Sequence, residues 1–576
     1  MPCTTILVGK TASADGSTMI ARNDDAGGNH FTPKKFVVVR PEHQPRVYES
    51  VISHVRITLP EDPLRYTAAP NAVEGEGIWA AHGINAANVG MTACETISSN
   101  ERVLAADPLV FYRPAKCACD NSDNPLLPRP PVAGSMRVTN VPVDSSPSDE
   151  GKEEQIGGIG EEDFVVLVLP YIHSAREGVQ RLGALLEQYG TYEMNGIAFN
   201  DVNEVWYMET IGGHHWMARR VPDNAVAIIP NQLGIDSLDL DDALGEQREY
   251  MCSADLREFI EKNHLDLEMG RILPTGQELY QTAKSAAAAL DDGLDRFLRK
   301  SGKGQTQGGA DETGQVRLHA VINPRLAFGS HDDADHVYNT PRSWDMGRYL
   351  CPKSIRWDGP NADYTPRSDD IPWCLVPERR ITVEDVKYML SLHYQGTPFD
   401  PYGSHGDAAQ RGAYRSIGIN RTDVLAILQV RPYVPQENRA VEWISFASNV
   451  FNVSVPFYAN VENLPAYLGN TTDAVSTDNF YWSARLIAAL ADACVQKNLN
   501  HIEHYQLTVQ SKARECIGRC DRQQASESSE EARAALREEA NAEIAGLLQS
   551  ETAGTLARVL HEASGHMKNQ YTRSDH

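Results

Sequence analysis

The sequence predicts an α+β protein built on antiparallel β-sheets and ending in a helical region. The first observation is strand-like alternation in short neighbouring segments, such as residues 194–199 and 204–210 on either side of a turn at 200–203. The second is a change of composition after Asn479, beyond which nearly all of the chain has helical character. Strands joined by a short turn favour an antiparallel meander, and the terminal helices complete the class.

Composition limits the classes of partner. The 576 residues contain 78 Asp and Glu against 53 Lys and Arg, which gives a formal charge of −25. Such acidity argues against nucleic acid or an anionic membrane as the main partner, because either needs a clustered basic face. The longest apolar run, residues 164–172, is far shorter than a membrane span of about 20 residues, and no basic region of a signal peptide opens the chain. We expect a cytoplasmic protein without nucleic acid or membrane partners, and a homo-oligomer is compatible with the sequence.

The chain is predicted to begin inside a sheet. Residues 3–9 are β-branched and apolar, a turn follows at 14–16, and strand character returns at 17–21 and 36–40. From about 105 to 162 the composition shifts to Pro, Ser, Asp and Gly, which is typical of a long surface insertion.

The middle of the chain carries a helix and the rest of the meander. Apolar positions recur at helical spacing from 171 to 189, and Gly190 is suited to end that helix. After the two strands named above, residues 216–221 and 225–229 are expected to continue the same sheet.

The remaining chain divides into strands and helices. A helical stretch at 278–300 leads into a Gly- and Gln-rich segment, 302–315, which we expect to be a mobile connection. Further strands are predicted at 424–430, 441–448 and 452–459, and helices follow, including 526–549. We therefore expect one large domain over 3–460 and a mainly helical region over 461–576.

Chemistry concentrates at the N-terminus. Cys3 opens the first strand, and Arg22 with Asp25 follows on the next strand, close enough in a hairpin for a cation and a carboxylate to lie beside the thiol. If Met1 and Pro2 are removed as a short propeptide, Cys3 carries both a thiol nucleophile and an α-amino group of pKa about 8 that can act as a base. Taken alone, a cysteine in a strand is more often a small apolar core residue.

The pattern resembles the N-terminal nucleophile (Ntn) hydrolases, and specifically the dipeptidase A type of cysteine peptidase, peptidase family C69. The likeness runs along most of the chain, failing near 105–162 and 302–315, and the segments that carry it are residues 3–10, 15–23, 192–198, 209–216, 230–232, 394–402 and 476–482. The resemblance implies a four-layer αββα sandwich, a catalytic domain over 3–460, hydrolysis of peptide bonds without metal or cofactor, and maturation that exposes Cys3.

Related penicillin and bile-salt amidases share the opening Cys and Arg-Asn-x-Asp arrangement, which implies individual roles. Cys3 would attack the scissile carbonyl, Arg22 would favour the thiolate, and Asp25 would hold the α-amino group. Asn231 would donate to the oxyanion, and Arg348 would be a second active-site arginine.

Each role has a structural alternative. Asp24 lies as near as Asp25 and could replace it, Asn231 could merely form a turn after Pro230, and Arg348 could be an ordinary ion-pair residue. Where the amidases carry an asparagine, this chain has Glu95, so we expect Glu95 and Thr92 to line a different substrate pocket.

The expected function is that of a dipeptidase hydrolysing unblocked dipeptides through a thioester on Cys3. Glu95 is a candidate for binding the substrate amine, and Arg348 for its carboxylate. The alternatives are an Ntn amidase that acts on acylated amines and an inactive homologue that only binds ligands.

Overall fold

The structure is a computed structural model, and it describes residues 3–27, 31–115, 153–267, 320–330 and 332–569. The described residues do not include the expected propeptide (1–2), the expected helix (278–300), the expected connection (302–315) or most of the expected insertion (105–162).

Strands dominate the first half of the described chain. They are β1 (Thr4–Val8), β2 (Thr18–Asp25), β3 (Val37–Val39), β4 (Val47–Glu49), β5 (Arg56–Thr58), β6 (Tyr66–Ala68), β7 (His82–Ile84), β8 (Gly90–Thr96), β9 (Asn195–Asn200), β10 (Val205–Thr210), β11 (Trp216–Arg220), β12 (Val226–Ile229), β13 (Leu238–Asp239), β14 (Tyr250–Cys252), β15 (Val321–Ile322), β16 (Cys374–Leu375), β17 (Thr422–Val430), β18 (Ala440–Phe446) and β19 (Val455–Tyr458).

Helices connect the strands and form the end of the chain. They are α1 (Glu101–Ala106), α2 (Glu161–Val168), α3 (Ala175–Tyr189), α4 (Leu240–Ala243), α5 (Leu256–Lys262), α6 (Pro324–Phe328), α7 (Asp335–Tyr338), α8 (Thr340–Leu350), α9 (Val383–Met389), α10 (Ala466–Gly469), α11 (Phe480–Asp492), α12 (Val495–Ala525) and α13 (Glu530–Gly565). Short 3-10 turns lie at Pro41–His43, Leu169–Tyr171 and Gln436–Asn438. The expected α+β class with antiparallel sheets is confirmed.

Two antiparallel sheets form the body of the protein. The larger has seven strands in the order β16-β12-β1-β2-β17-β18-β19, and the second has six in the order β14-β11-β10-β9-β8-β7. The hairpin expected at the N-terminus is present, with Thr4 opposite Asn23 and Val8 opposite Met19. Since β1 and β2 lie in the middle of the larger sheet, whatever the hairpin carries is flanked by strands on both sides.

One predicted pairing is wrong. Residues 225–229 form a strand, β12, but it pairs with β1 in the larger sheet instead of continuing the meander β9-β10-β11, which β14 completes. The turn after β11 packs closely on Gly9. A Cβ added to Gly9 would lie only 2.3 Å from the carbonyl oxygen of Pro222, so a larger residue would not fit there. Gly9 N also donates a hydrogen bond to Ala225 O at 3.0 Å, which ties the turn to the end of β1. Alternation predicts that a strand exists, whereas its partner depends on where the preceding turn directs the chain.

The two sheets contact each other through β2, which packs on β8 and β9. Polar contacts also cross between them, because Asn200 Nδ2 donates to Leu428 O at 3.2 Å and Thr18 Oγ1 donates to Asp201 O at 2.5 Å. Helices α2 and α3 pack on strands of the six-stranded sheet, and α8, α9 and α11 pack on strands of the seven-stranded sheet.

The long helices α12 and α13 pack along each other and against β19. Their buried side chains, among them Tyr505, Val509, Ile544 and Leu548, belong to the same apolar core as Ile6 in β1. Among the described helices, none is long and apolar enough to cross a membrane.

Candidate active site

Cys3 lies at the start of β1, at the junction of three strands. β1 pairs with β2 through Thr4 and Asn23 and with β12 through Thr5 and Ile229, so continuing both registers places Cys3 between Asp24 and the residue Asn231. Cys3 is fully buried, although it begins the described chain. The pairing explains why residues far apart in sequence meet at this thiol.

Arg22 contacts the thiol directly. Its Nη2 lies 2.9 Å from Cys3 Sγ, 3.1 Å from Asp24 Oδ1 and 2.6 Å from Glu161 Oε1, and its side chain is 2% exposed. The hydrogen bond and the positive charge both favour the thiolate over the thiol. Alternation along β2 puts Arg22 and Asp24 on the same face, the face toward which Cys3 points.

Asp24 places a carboxylate beside the thiol. Its Oδ1 lies 3.9 Å from Cys3 Sγ, and its Oδ2 pairs with Lys34 Nζ at 3.2 Å. Burial raises the pKa of Asp24, but the charges of Lys34 and Arg22 outweigh burial, so the pKa lies below its ordinary value. Asp24 therefore stays ionised next to the Cys3 thiol.

Asp25 lies in a separate buried network. Its carboxylate accepts hydrogen bonds from Arg415 Nη2 and, at 2.6 Å, from Thr422 Oγ1. Arg415 Nη1 lies 3.5 Å from Thr4 Oγ1, so these contacts reach Cys3 through Arg415 and Thr4. Among the described contacts, the thiol is thus contacted by Asp24, the alternative left open by the sequence.

Asn231 is joined to Cys3 by an arginine that the sequence analysis missed. Arg342, in α8, donates to Cys3 O, to Thr4 Oγ1 at 2.6 Å and to Asn231 Oδ1 at 2.8 Å, and it is fully buried. Asn231 Nδ2 donates to Thr96 O at 3.0 Å. The turn after Pro230, which was the structural alternative for Asn231, is also present, because Gln232 N donates to Pro230 O at 2.8 Å.

Arg348 is placed elsewhere on the same helix. Its Nη1 pairs with Asp345 Oδ1 at 3.0 Å, and its guanidinium lies 4.6 Å from the centre of the Trp344 ring. Six residues advance a helix by about 9 Å and turn it by about 240°, so Arg342 and Arg348 cannot both face Cys3. The structure brings Arg342, and not Arg348, to the nucleophile among the described contacts.

Of the two expected pocket residues, Thr92 is described in full and Glu95 in its backbone. Thr92 is buried in β8, and its Oγ1 accepts a hydrogen bond from Ala198 N at 3.3 Å. Glu95 pairs with Gly196 across β8 and β9, and its side chain lies outside the described part of the protein.

Glu161 is a further residue that sequence reasoning missed. It opens α2, inside the segment 105–162 that was expected to be a surface insertion, and its side chain is 2% exposed. Three acidic residues in a row, Glu161, Glu162 and Asp163, are what a helix N-terminus normally carries, so nothing in the sequence indicated that one of them pairs with Arg22. Likewise, nothing in the sequence distinguished Arg342 from Arg348.

The described residues contain no cluster of three or more His, Cys, Asp or Glu side chains that could hold a metal ion. The groups around Cys3 are instead suited to nucleophilic chemistry: a thiol, a cation that contacts it, an ionised carboxylate and an amide.

Comparison with known proteins identifies the family of this chain. The sequence matches the profile of peptidase family C69 over residues 2–508. It is 47% identical over 612 aligned positions to a dipeptidase of Bifidobacterium longum, with 100% of both chains covered. It is 40% identical over 493 positions to dipeptidase A of Lactobacillus helveticus, covering 85% of this chain and 82% of that one. The chain therefore belongs to peptidase family C69, and it is a peptidase.

Proposed function

We propose that this protein is a cysteine-type dipeptidase that hydrolyses unblocked dipeptides with Cys3 as its N-terminal nucleophile. The single observation that carries the proposal is the 2.9 Å contact between Arg22 Nη2 and the buried Cys3 Sγ. The relatives named dipeptidase, aligned over the full chain or most of it, support the substrate class. We further propose that the two sheets and their flanking helices form the four-layer αββα sandwich of Ntn hydrolases.

The reaction follows from the groups around the thiol. The Cys3 thiolate attacks the scissile carbonyl carbon and forms a C–S bond, and the carbonyl electrons move to the oxygen. When the oxyanion collapses, the C–N bond breaks and the leaving amine takes a proton, which leaves a thioester on Cys3. Water then attacks the thioester, releasing the first amino acid and returning the proton to the sulfur.

The α-amino group of Cys3 is the proposed base, which requires that Met1 and Pro2 are absent from the mature chain. Asp25 is the residue proposed to hold this amine, with Asp24 as the alternative. Asp24 is favoured by its 3.9 Å distance to Sγ, and Asp25 by the resemblance to the amidases.

Asn231 is the proposed oxyanion donor. Its Nδ2 donates to Thr96 O at 3.0 Å, so it would exchange that acceptor for the substrate oxygen, while Arg342 holds its Oδ1. Loss of one such donor typically costs about 3 kcal/mol of transition-state stabilisation. We propose that the role first assigned to Arg348 belongs to Arg342, and that Thr92 and Glu95 belong to the wall of the pocket.

The charges near Cys3 favour a dipeptidase over an amidase for acylated amines. The side chains of Asp24 and Glu161 lie beside the thiol, where an apolar acyl chain would meet buried carboxylates. A dipeptide instead presents a cation on that side of its scissile bond.

The test compares alanylalanine, N-acetyl-alanylalanine and tetra-alanine as substrates of the wild-type protein and of Cys3→Ala, with Cys252→Ala as the matched buried-cysteine control. We expect turnover of the unblocked dipeptide alone, its loss in Cys3→Ala by orders of magnitude, and its retention in Cys252→Ala. Equal turnover of all three substrates, or full activity in Cys3→Ala, would contradict the proposal.

The mass of the intact, active protein supplies the second part of the test. Because the amine of Cys3 must be terminal to act as a base, the active chain should lack Met1 and Pro2. An active preparation that still begins at Pro2 would exclude the amine as the base, and a chain that never loses these residues and never turns over a dipeptide would favour the inactive homologue.

A further inference from the structure

A group of buried carboxylates lies on one side of Cys3. Asp24 pairs with both Arg22 and Lys34, whereas Glu161 meets Arg22 through Oε1 at 2.6 Å. Glu193 adjoins Glu161, because its Oε1 accepts a hydrogen bond from Glu161 N at 2.6 Å. Three described carboxylates and two described cations therefore form one buried group beside the thiol.

A positive charge near these carboxylates favours their ionised forms. Burial raises the pKa of Glu193, and the charge of Glu161 raises it further. Two carboxylates that oppose each other's ionisation in a buried place are stabilised by a positive charge between them. The unblocked dipeptide of the proposed function brings one such charge, its α-ammonium group.

The distances agree with that placement. Arg22 Nη2 lies 2.9 Å from Cys3 Sγ and 2.6 Å from Glu161 Oε1. The distance between Glu161 Oε1 and Cys3 Sγ is therefore at most the sum of these two distances. In a dipeptide the amine nitrogen lies about 2.5 Å from the scissile carbonyl carbon, as the N–Cα and Cα–C bond lengths require. A sulfur poised for attack lies about 3–3.5 Å from that carbon. These lengths allow an ammonium group next to the attacked carbonyl to reach Glu161 Oε1.

We propose that Glu161 binds the α-ammonium group of the dipeptide and thereby makes a free amino terminus a requirement of the site. A carboxylate has two oxygens with about four acceptor positions, so Glu161 can hold Arg22 and the ammonium together. Acetylation of the amine removes its charge and adds bulk where the carboxylate lies, which excludes blocked substrates. This inference rests on the proposed function and assigns to Glu161 the role that the sequence analysis gave to Glu95.

The test pairs alanylalanine with propionyl-alanine, which has the same shape but a hydrogen in place of the amine. Wild-type protein should prefer alanylalanine in kcat/KM. Glu161→Gln should lower kcat/KM for alanylalanine by about 10- to 100-fold, the effect of losing a charge-assisted hydrogen bond, and leave propionyl-alanine nearly unchanged. Glu162→Gln is the matched control, because Glu162 faces Ser50, whose Oγ donates to it at 2.8 Å, and it should keep the wild-type preference.

A second variant separates binding from folding. Arg22 keeps Asp24 when Glu161 is neutralised, so Glu161→Gln should fold, and its thermal unfolding should lie close to that of Glu162→Gln. Glu161→Asp retains the charge and should retain part of the preference for the amine. If Glu161→Gln instead slows both substrates equally, Glu161 acts on catalysis through Arg22 and the inference is overturned.

Binding to an inactive protein distinguishes this inference from the proposed function. In a Cys3→Ser background, calorimetry should detect alanylalanine and should show weaker binding, by about 10- to 100-fold, when Glu161→Gln is added. If the wild-type protein cannot hydrolyse alanylalanine but this Glu161-dependent binding persists, the proposed function fails and the inference stands. If the dipeptide binds equally with and without Glu161, the inference fails even where hydrolysis is observed.

Discussion

At the scale of single residues, one nitrogen atom of Arg22 connects the thiol proposed as the nucleophile to two carboxylates. Nη2 of Arg22 meets three acceptors, namely Cys3 Sγ, Asp24 Oδ1 and Glu161 Oε1. A terminal guanidinium nitrogen carries two hydrogens, so the three acceptors must share them. The hydrogen bond to sulfur therefore depends on how strongly the two carboxylates compete for Arg22, and a cation that engages Glu161 would release donor capacity toward the thiolate.

The two arginines of α8 make the first prediction at this scale. Arg342 spans Cys3 O, Thr4 Oγ1 and Asn231 Oδ1 with a rigid fork that a lysine cannot reproduce. Arg342→Lys should lower kcat for an unblocked dipeptide by about 100-fold, comparable to losing an oxyanion donor, with little change in KM.

Arg348→Lys is the matched control for this prediction. Its head group pairs with Asp345 and is 24% exposed, so lysine should preserve most of the ion pair and kcat should stay within about threefold. Steady-state measurements of kcat and KM for both variants test this prediction. A larger loss of kcat in Arg348→Lys than in Arg342→Lys would return the second active-site arginine to Arg348.

At the scale of strands and helices, the pairing and register of the strands determine which residues lie beside Cys3. Cys3 meets Arg22 because β1 and β2 form a hairpin, which the turn at Gly16 and the flanking alternation predicted. It meets Asn231 because β12 crosses to the other side of β1, and local patterning cannot foresee that choice of partner. Glu161 begins a helix at the end of a segment without periodicity. Nothing in the sequence around Glu161 indicated its long-range contact with Arg22.

Glu209, at the end of β10, makes the element-scale prediction. It is fully buried, and burial raises its pKa to about 7, although Gly234 N and Ile235 N donate to its carboxylate. These hydrogen bonds hold the backbone that follows Asn231. Because the folded pKa lies above the ordinary value of 4.5 for a glutamate, the folded state binds the proton more tightly than the unfolded chain. Stability from this group is present below about pH 4.5 and is lost as the pH rises to about 7.

Glu209→Gln, which cannot ionise, should remove this dependence while keeping an acceptor for Gly234. Chemical unfolding at pH 5 and pH 8 should show a smaller loss of unfolding free energy in the variant than in the wild type, by on the order of 3 kcal/mol. Glu49→Gln, at an exposed position in β4, should behave like the wild type. Identical pH dependence in Glu209→Gln and the wild type would show that Glu209 stays in one protonation state over this range.

At the scale of the whole molecule, the helical region expected over 461–576 is joined to the sheets by a polar contact as well as by the core. Asp521 in α12 pairs with Arg431 Nη1 at 2.7 Å and accepts a hydrogen bond from Tyr458 OH at 2.7 Å. The side chain of Arg431 is 5% exposed. Burial lowers the pKa of Arg431, but Asp521 more than offsets this and raises it. A division into a catalytic domain and a helical region therefore need not mean that the two parts unfold separately.

The final prediction tests whether they unfold as one unit. Asp521→Asn leaves Arg431 buried without its counter-charge, which typically lowers the free energy of unfolding by about 3 kcal/mol. The control is Glu543→Gln, which removes the exposed partner of Arg519 in the same helix pair. It should lower the free energy of unfolding by less than about 1 kcal/mol. The eight tryptophans all lie between Trp79 and Trp482, before α12 and α13, so their fluorescence reports on the rest of the chain while far-ultraviolet circular dichroism includes the long helices. Because the two parts share one core, the fluorescence and dichroism transitions of Asp521→Asn should shift together to a lower denaturant concentration. A shift of the dichroism transition alone would mean that α12 and α13 unfold independently, and that the ion pair stabilises only the helical region.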